Sequence, residues 1–166
     1  GNGTLDAVNY ELGVKLSGGA LRPYVLFTTD ADSASQTVES IAGGVVIVPG
    51  MWYHLAGVYD AATQQLSIHV NGQLEWTEET PYRLPAAGKI GGARTLVGHA
   101  TDPATGLLSR GFVGLVDQVR IWNVAARPSS LMTLVDVGAG ASALVSYLTM
   151  DDGGTWIQDF APAAEN

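Results

Sequence analysis

Trp52-Tyr53-His54-Leu55-Ala56-Gly57-Val58-Tyr59-Asp60, followed by Leu66-Ser67-Ile68-His69-Val70-Asn71-Gly72, is the stretch that decides how the chain reads. Trp52, His54, Ala56 and Val58 share one parity, and Tyr53, Leu55 and Tyr59 share the other. A strand apolar on both faces is covered on both, which predicts a central position and a second layer of structure. Asp60 to Gln64 turns the chain into Leu66–Val70, and Asn71-Gly72 then predicts a type I′ hairpin, because both positions tolerate φ > 0. Gln73 to Glu79 is the returning strand.

The same two-residue period extends in both directions. Tyr10, Leu12, Val14 and Leu16 alternate with Glu11, Gly13 and Lys15, a half-exposed strand. Ser17-Gly18-Gly19 turns it into a second strand from Leu21 to Thr28. Asp30 to Ser35 reads as polar loop, and Val45 to Val48 as a short apolar run stopped by Pro49-Gly50. Pro81 to Gly92 is irregular, with a short strand at Thr95 to Gly98. In Phe112 to Trp122, Phe112, Gly114 and Val116 share a parity that Val119 and Ile121 do not, so a β-bulge is expected near Asp117-Gln118. One short helix is expected near 128–136, with Pro128 in its first turn and Leu131, Leu134 and Val135 on one face. Leu144 to Met150 is the last strand. About ten short strands with one surface helix predict an all-β, two-sheet antiparallel sandwich.

Composition agrees. The 166 residues suffice for a single domain, with 46% hydrophobic and 14% charged residues and 21 glycines scattered as turns require. A net charge of −8, with Lys15 and Lys89 the only lysines, argues against nucleic acid and anionic membrane surfaces, both of which need clustered cations. No run approaches the roughly 18 apolar residues of a membrane span, so membrane insertion is not expected. With no cysteine, disulfides and thiolate metal sites are excluded; an extracellular or cell-surface domain built that way points to a prokaryotic surface protein.

Three segments resemble the laminin G-like domains of the concanavalin A-like lectin/glucanase superfamily. The hairpin quoted above is similar to that family's W-x-H-x-A-x-x-[YF]-D…L-x-I-Y-V-N-G; Phe112-x-Gly114-x-x-Asp117-x-Val119-Arg120-Ile121-Trp122-Asn123 is similar to its F-x-G-x-I-D-E-V-R-I-W-N; Leu144 to Asp151 is similar to its closing strand. The resemblance implies a jelly roll whose concave face or rim loops bind glycans or extracellular proteins, often with calcium. It also implies opening strands that have no counterpart before Tyr10. Residues 159–166 and 1–5 resemble the two halves of one linker, so the expectation is a single domain over 1–166, lacking its opening strands and cut from a tandem array. Self-association through unpaired strand edges follows as the structural alternative, a subunit of a filament or array.

The superfamily includes glycosidases, whose carboxylates resemble E-x-D-x-x-E or E-x-D-x-E on one strand. Here the nearest group is Glu75, Glu78 and Glu79, and the opposite parity of Glu75 and Glu78 sends them to opposite faces, so no enzyme is expected. His54 is expected to pack with a satisfied ring nitrogen; His69 and His99 lack a carboxylate at zinc-like spacing. Calcium is the candidate cofactor, at Asp117, where a bulge would free backbone carbonyls; Asp117 is equally suited to cap bulge amides or pair with Arg120. Glycan recognition needs exposed aromatics beside planar polar groups, which selects Trp76, Tyr82 and Trp156 with Arg83 and Arg94. The alternative for such aromatics is the core or a chain–chain contact, the reading that fits Trp122. Asn2-Gly3-Thr4 is a glycosylation sequon.

Overall fold

Left-handed backbone at a few positions sets the hairpins. In the computed structural model, which describes residues 10–28, 37–83, 96–98, 100–101, 108–109, 111–125, 143–151, 153 and 159–161, Gly18 and Gly19 have φ of 60° and 78°, and Asn71 and Gly72 have 50° and 78°. Both are two-residue turns of type I′, whose twist matches the strands they join. The first connects β1 (Glu11–Ser17) to β2 (Ala20–Thr28); the second connects β5 (Gln65–Val70) to β6 (Gln73–Glu79). Asn71 is further held by its Oδ1, which accepts the His54 N–H at 2.9 Å. Asn71→Ala removes that acceptor and leaves a Cβ residue in the left-handed region; urea denaturation is expected to show a loss of about 1–2 kcal/mol.

β3 (Thr37–Ile41) completes a three-stranded antiparallel sheet in the order β1-β2-β3, and β4 (Leu55–Asp60) a second in the order β4-β5-β6. β2 and β3 lie over β5, β3 also over β6, and β1 and β2 approach β4. The core between the sheets is Val25, Phe27, Val38 and Ala42 against Leu66, Ile68 and Val70, with Tyr53, Leu55 and Tyr59 packed at its margin. Burying each large side chain such as Leu66 or Ile68 contributes about 1.5–3 kcal/mol. The expected two-layer, all-β sandwich is what the chain forms. β7 (Ala100–Thr101) pairs with β8 (Leu108–Ser109), and β9 (Val119–Trp122) with β10 (Leu144–Leu148).

Several local expectations change. The strand read as central is an edge among the described strands: β4 pairs with β5 alone, and β5 is the middle strand. Trp52 precedes β4 and is 64% exposed. In the apolar run Val45–Val48 the Ile47 N–H donates to Leu21 O at 2.8 Å, tying this segment to the start of β2. The bulged strand over Phe112 to Trp122 is shorter than expected, because only Val119–Trp122 forms a ladder. Gln118, with φ of 51°, interrupts the extended chain before it, and the register shift falls across the ladder between Leu144 and Ser146. The helix expected near 128–136 and the acidic turn around Asp30 lie outside the described residues.

One part of the first sheet is left open. The register places Leu12 opposite Val25, Val14 opposite Pro23 and Leu16 opposite Leu21, so all six point to the core side. Val25 and Pro23 are buried there, whereas Leu12, Leu16 and Leu21 are 45%, 72% and 38% exposed. Among the described residues, the second sheet reaches β1 only through its edge strand β4. On the other face Tyr24 is buried: its ring lies against Gly13, where a Cβ would come within 3.1 Å, and the Lys15 ammonium sits over it at 5.0 Å. Lys15 also pairs with Glu39 at 2.5 Å, and the Tyr24 hydroxyl donates to Glu11.

Candidate functional site, an aromatic rim at β6

β6 carries one extra residue relative to β5, since Ile68 opposes Trp76 while His69 opposes Leu74. Glu75 is therefore the bulged residue, and the bulge lets Trp76 and Leu74 face opposite sides despite their shared parity. Trp76 is on the core side but at the sheet edge, 55% exposed, with its carbonyl accepting from Ser40 Oγ at 3.5 Å. Beyond the strand the chain is pinned. The Thr80 N–H donates to Gln64 O at 2.9 Å, the Tyr82 N–H to Thr80 Oγ1 at 3.1 Å, and the Tyr59 hydroxyl to Tyr82 O at 3.0 Å. With its backbone fixed this way, Tyr82 is 41% exposed, and Arg83 beside it is exposed. Two aromatic side chains and a guanidinium are thus exposed along β6 and the segment that follows it, groups of the kinds that stack on an apolar surface and donate in-plane hydrogen bonds. Arg94 and Trp156, the other expected members, lie outside the described residues.

Glu75 sits at the bulge, while Glu78 opposes Leu66 on the core side and is exposed. Asp117 is exposed, next to the left-handed Gln118. Gln118 Oε1 accepts from the Arg120 guanidinium at 2.5 Å, and that guanidinium lies 4.9 Å from the Tyr147 ring centre. Among the described residues no group of three or more His, Asp or Glu side chains gathers to hold a metal, so they do not by themselves compose the calcium site expected at Asp117.

The opposite face of the second sheet holds two histidines. Ala56 opposes His69, and His54 lies two residues before Ala56 on the same side. His69 shares a hydrogen bond with Ser67 Oγ at 3.2 Å. Among the described residues, the Nδ1 atom of His54 is buried without a hydrogen-bond partner, as is that of His69. Burial holds both rings below the usual histidine range, and the nearby Arg120 charge lowers His54 further. The unfolded chain therefore takes up protons as pH falls through about 6.5 while the folded chain resists. Stability is expected to be full above that pH and to decline on acidification below it, read as a falling urea midpoint from pH 7.5 to 5.5; His54→Gln should flatten the slope.

Residue type alone does not single out Asp159, yet three hydrogen bonds converge on its carboxylate. It bridges Leu148, and it accepts from Ser146 Oγ at 2.7 Å, Tyr147 N at 2.8 Å and Ala161 N at 2.9 Å. Burial pushes its carboxyl up, but the hydrogen bonds from Tyr147, Ala161 and Ser146 outweigh that and hold it below the usual aspartate range. Residues 159–161, read as the beginning of a linker, are thus fastened to β10.

No helix among the described residues is long and apolar enough to cross a membrane. Comparison with curated proteins and with solved structures finds no match. A laminin G-like family profile, described as the concanavalin A-like lectin/glucanases superfamily, matches residues 1–131. That match covers both stacked sheets and the β6 rim, and it supports a carbohydrate- or protein-binding module in general terms. With this antiparallel sandwich and that match, the chain belongs to the concanavalin A-like lectin/glucanases superfamily as a laminin G-like domain.

Proposed function

We propose that the chain is a non-catalytic adhesion or binding module acting outside the cell, taking a glycan or an extracellular protein at the β6 rim. The observation that carries this reading is the exposure of Trp76 and Tyr82 on a pinned backbone beside Arg83. A large aromatic ring left in water costs free energy that stacking on a sugar's apolar face recovers. Arg94 and Trp156 are proposed as further contacts, and Asp117 as a calcium ligand completed by groups beyond those described.

A glycan array, run with calcium and with chelator, tests this. Binding should appear and Trp76→Ala should weaken it by about tenfold, the equivalent of about 1.4 kcal/mol. An array blank in both conditions sinks the glycan reading and leaves the protein ligand. Binding indifferent to chelator removes calcium from the account.

A second reading has its own support: a structural subunit of a self-assembling filament or tandem array. Exposed Leu12 and Leu16 on β1, an edge among the described strands, with Leu21 beside them on β2, favour it, because an edge strand with exposed apolar side chains is a template for another strand.

A further inference from the structure

The open strand β1 is chemically self-complementary. Around Gly13 its order is Tyr10-Glu11-Leu12-Gly13-Val14-Lys15-Leu16. Apolar residues fall symmetrically on either side of the glycine, and the acid and the base fall antisymmetrically. We propose that two copies of the chain pair β1 to β1 in antiparallel fashion about Gly13, forming one continuous six-stranded sheet; this deepens the self-assembly reading above and rests on it.

The backbone is arranged for it. Ser17 and Ala20 close a two-residue hairpin, so Ser17, Lys15, Gly13 and Glu11 turn their peptide groups towards β2. Leu12, Val14 and Leu16 then turn theirs to the other edge, where no described strand pairs with them. In the proposed register Leu12 exchanges hydrogen bonds with Val14 of the second copy and Val14 with its Leu12. Gly13 meets Gly13 on the two-fold axis. Tyr10 falls opposite Leu16 on the exposed apolar face, so Tyr10, Leu12 and Leu16 each gain an apolar cross-strand neighbour.

The charges select this partner over a generic apolar strand. Glu11 falls opposite Lys15 of the other copy, and Lys15 opposite its Glu11, at non-hydrogen-bonded positions where side chains are closest. Lys15 already binds Glu39 at 2.5 Å, but an ammonium has three donors, so it can keep Glu39 while meeting the second carboxylate. An isologous contact requires each residue class to find its complement under the two-fold, and β1 with Tyr10 just before it meets that condition at every position from Tyr10 to Leu16. A lysine on an edge strand ordinarily guards it; here neighbouring carboxylates offset that charge.

The test is sedimentation equilibrium of the full chain over a concentration series at physiological salt, for the unaltered protein, Glu11→Lys and Lys15→Glu. Circular dichroism and melting confirm that each variant folds. The unaltered chain should dimerise. Each variant places like charges opposite each other twice in the interface and should raise the dissociation constant by about tenfold. Mixing the two variants in equal amounts should restore a dimer, because their altered edges complement each other. An unaltered chain that stays monomeric throughout overturns this pairing together with the self-assembly reading. A dimer that both variants leave intact, or that the mixture fails to rescue, overturns the β1 pairing alone and moves self-association to another surface.

Discussion

Phe27→Ala is expected to lower the stability of the chain by about 3–5 kcal/mol, enough to leave a domain of ordinary stability largely unfolded on modest heating. Phe27 is 1% exposed, the centre of the face that the first sheet turns to the second. Its ring meets Tyr59 edge-on with centres 5.1 Å apart, and its strand neighbour Val38 is buried beside it. Truncation removes the transfer free energy of the ring and leaves a cavity between two sheets that cannot close without shifting both. Thermal and urea unfolding followed by circular dichroism measure the loss, and Phe27→Leu should recover more than half of it by keeping most of the volume.

Gly57→Ala is the complementary case, where one added carbon is expected to cost about 1–3 kcal/mol or more. Gly57 opposes Ile68 on the core side of β4. A Cβ there would lie 2.4 Å from Val25 Cγ2 and 2.9 Å from Val25 Cβ, well inside contact distance. The first sheet is in close contact with the second at this point, so the added methyl must either push the sheets apart or force Val25 off its rotamer. Val25→Ala in the same chain should restore a substantial part of the loss, since it vacates the space the new Cβ needs. A double-mutant cycle measures that coupling, and purely additive effects would show that the clash is relieved elsewhere.

These two positions also mark how much of the fold is legible in the sequence. Asn71-Gly72 and Gly18-Gly19 are readable because a left-handed backbone restricts residue choice so strongly, and strands of alternating character on either side follow from them. β3 is hard to read in the sequence because, besides Val38, its buried side holds Ser40, with Ala42 just beyond: both are fully buried, and neither is apolar enough in bulk to mark a strand. Ser40 is satisfied instead by Trp76 O across the sandwich, a contact no local pattern encodes. β4 looked central because Gly57 hides between large residues of both parities. Its two covered faces are one packed against the first sheet and one holding His54, which is not the same as having strands on both sides. At the candidate site, the aromatic types pointed to Trp76 and Tyr82, but their exposure depends on the bulge at Glu75 and on the bonds pinning Thr80 to Tyr82. Asp159 was invisible for a related reason, because its partners Ser146 and Tyr147 become neighbours only once the chain has folded back on β10.

That fold-back makes a mechanical joint. Tension reaching Ala161 from residues further along the chain does not pull directly on the free end of β10. It is first divided at one carboxylate among the Ser146 hydroxyl and the Tyr147 and Ala161 amides, with the Phe160 N–H adding its own bond to Tyr147 O at 2.8 Å. The load then enters the ladder at Tyr147, whose cross-strand partner is Arg120, so both strands of the ribbon take up the strain together. Because hydrogen bonds hold the carboxyl below the usual aspartate range, it stays ionised and the coupling stays fastened at neutral pH. Under tension, Asp159 would spread the load over both strands of that ribbon instead of leaving it on the end of β10.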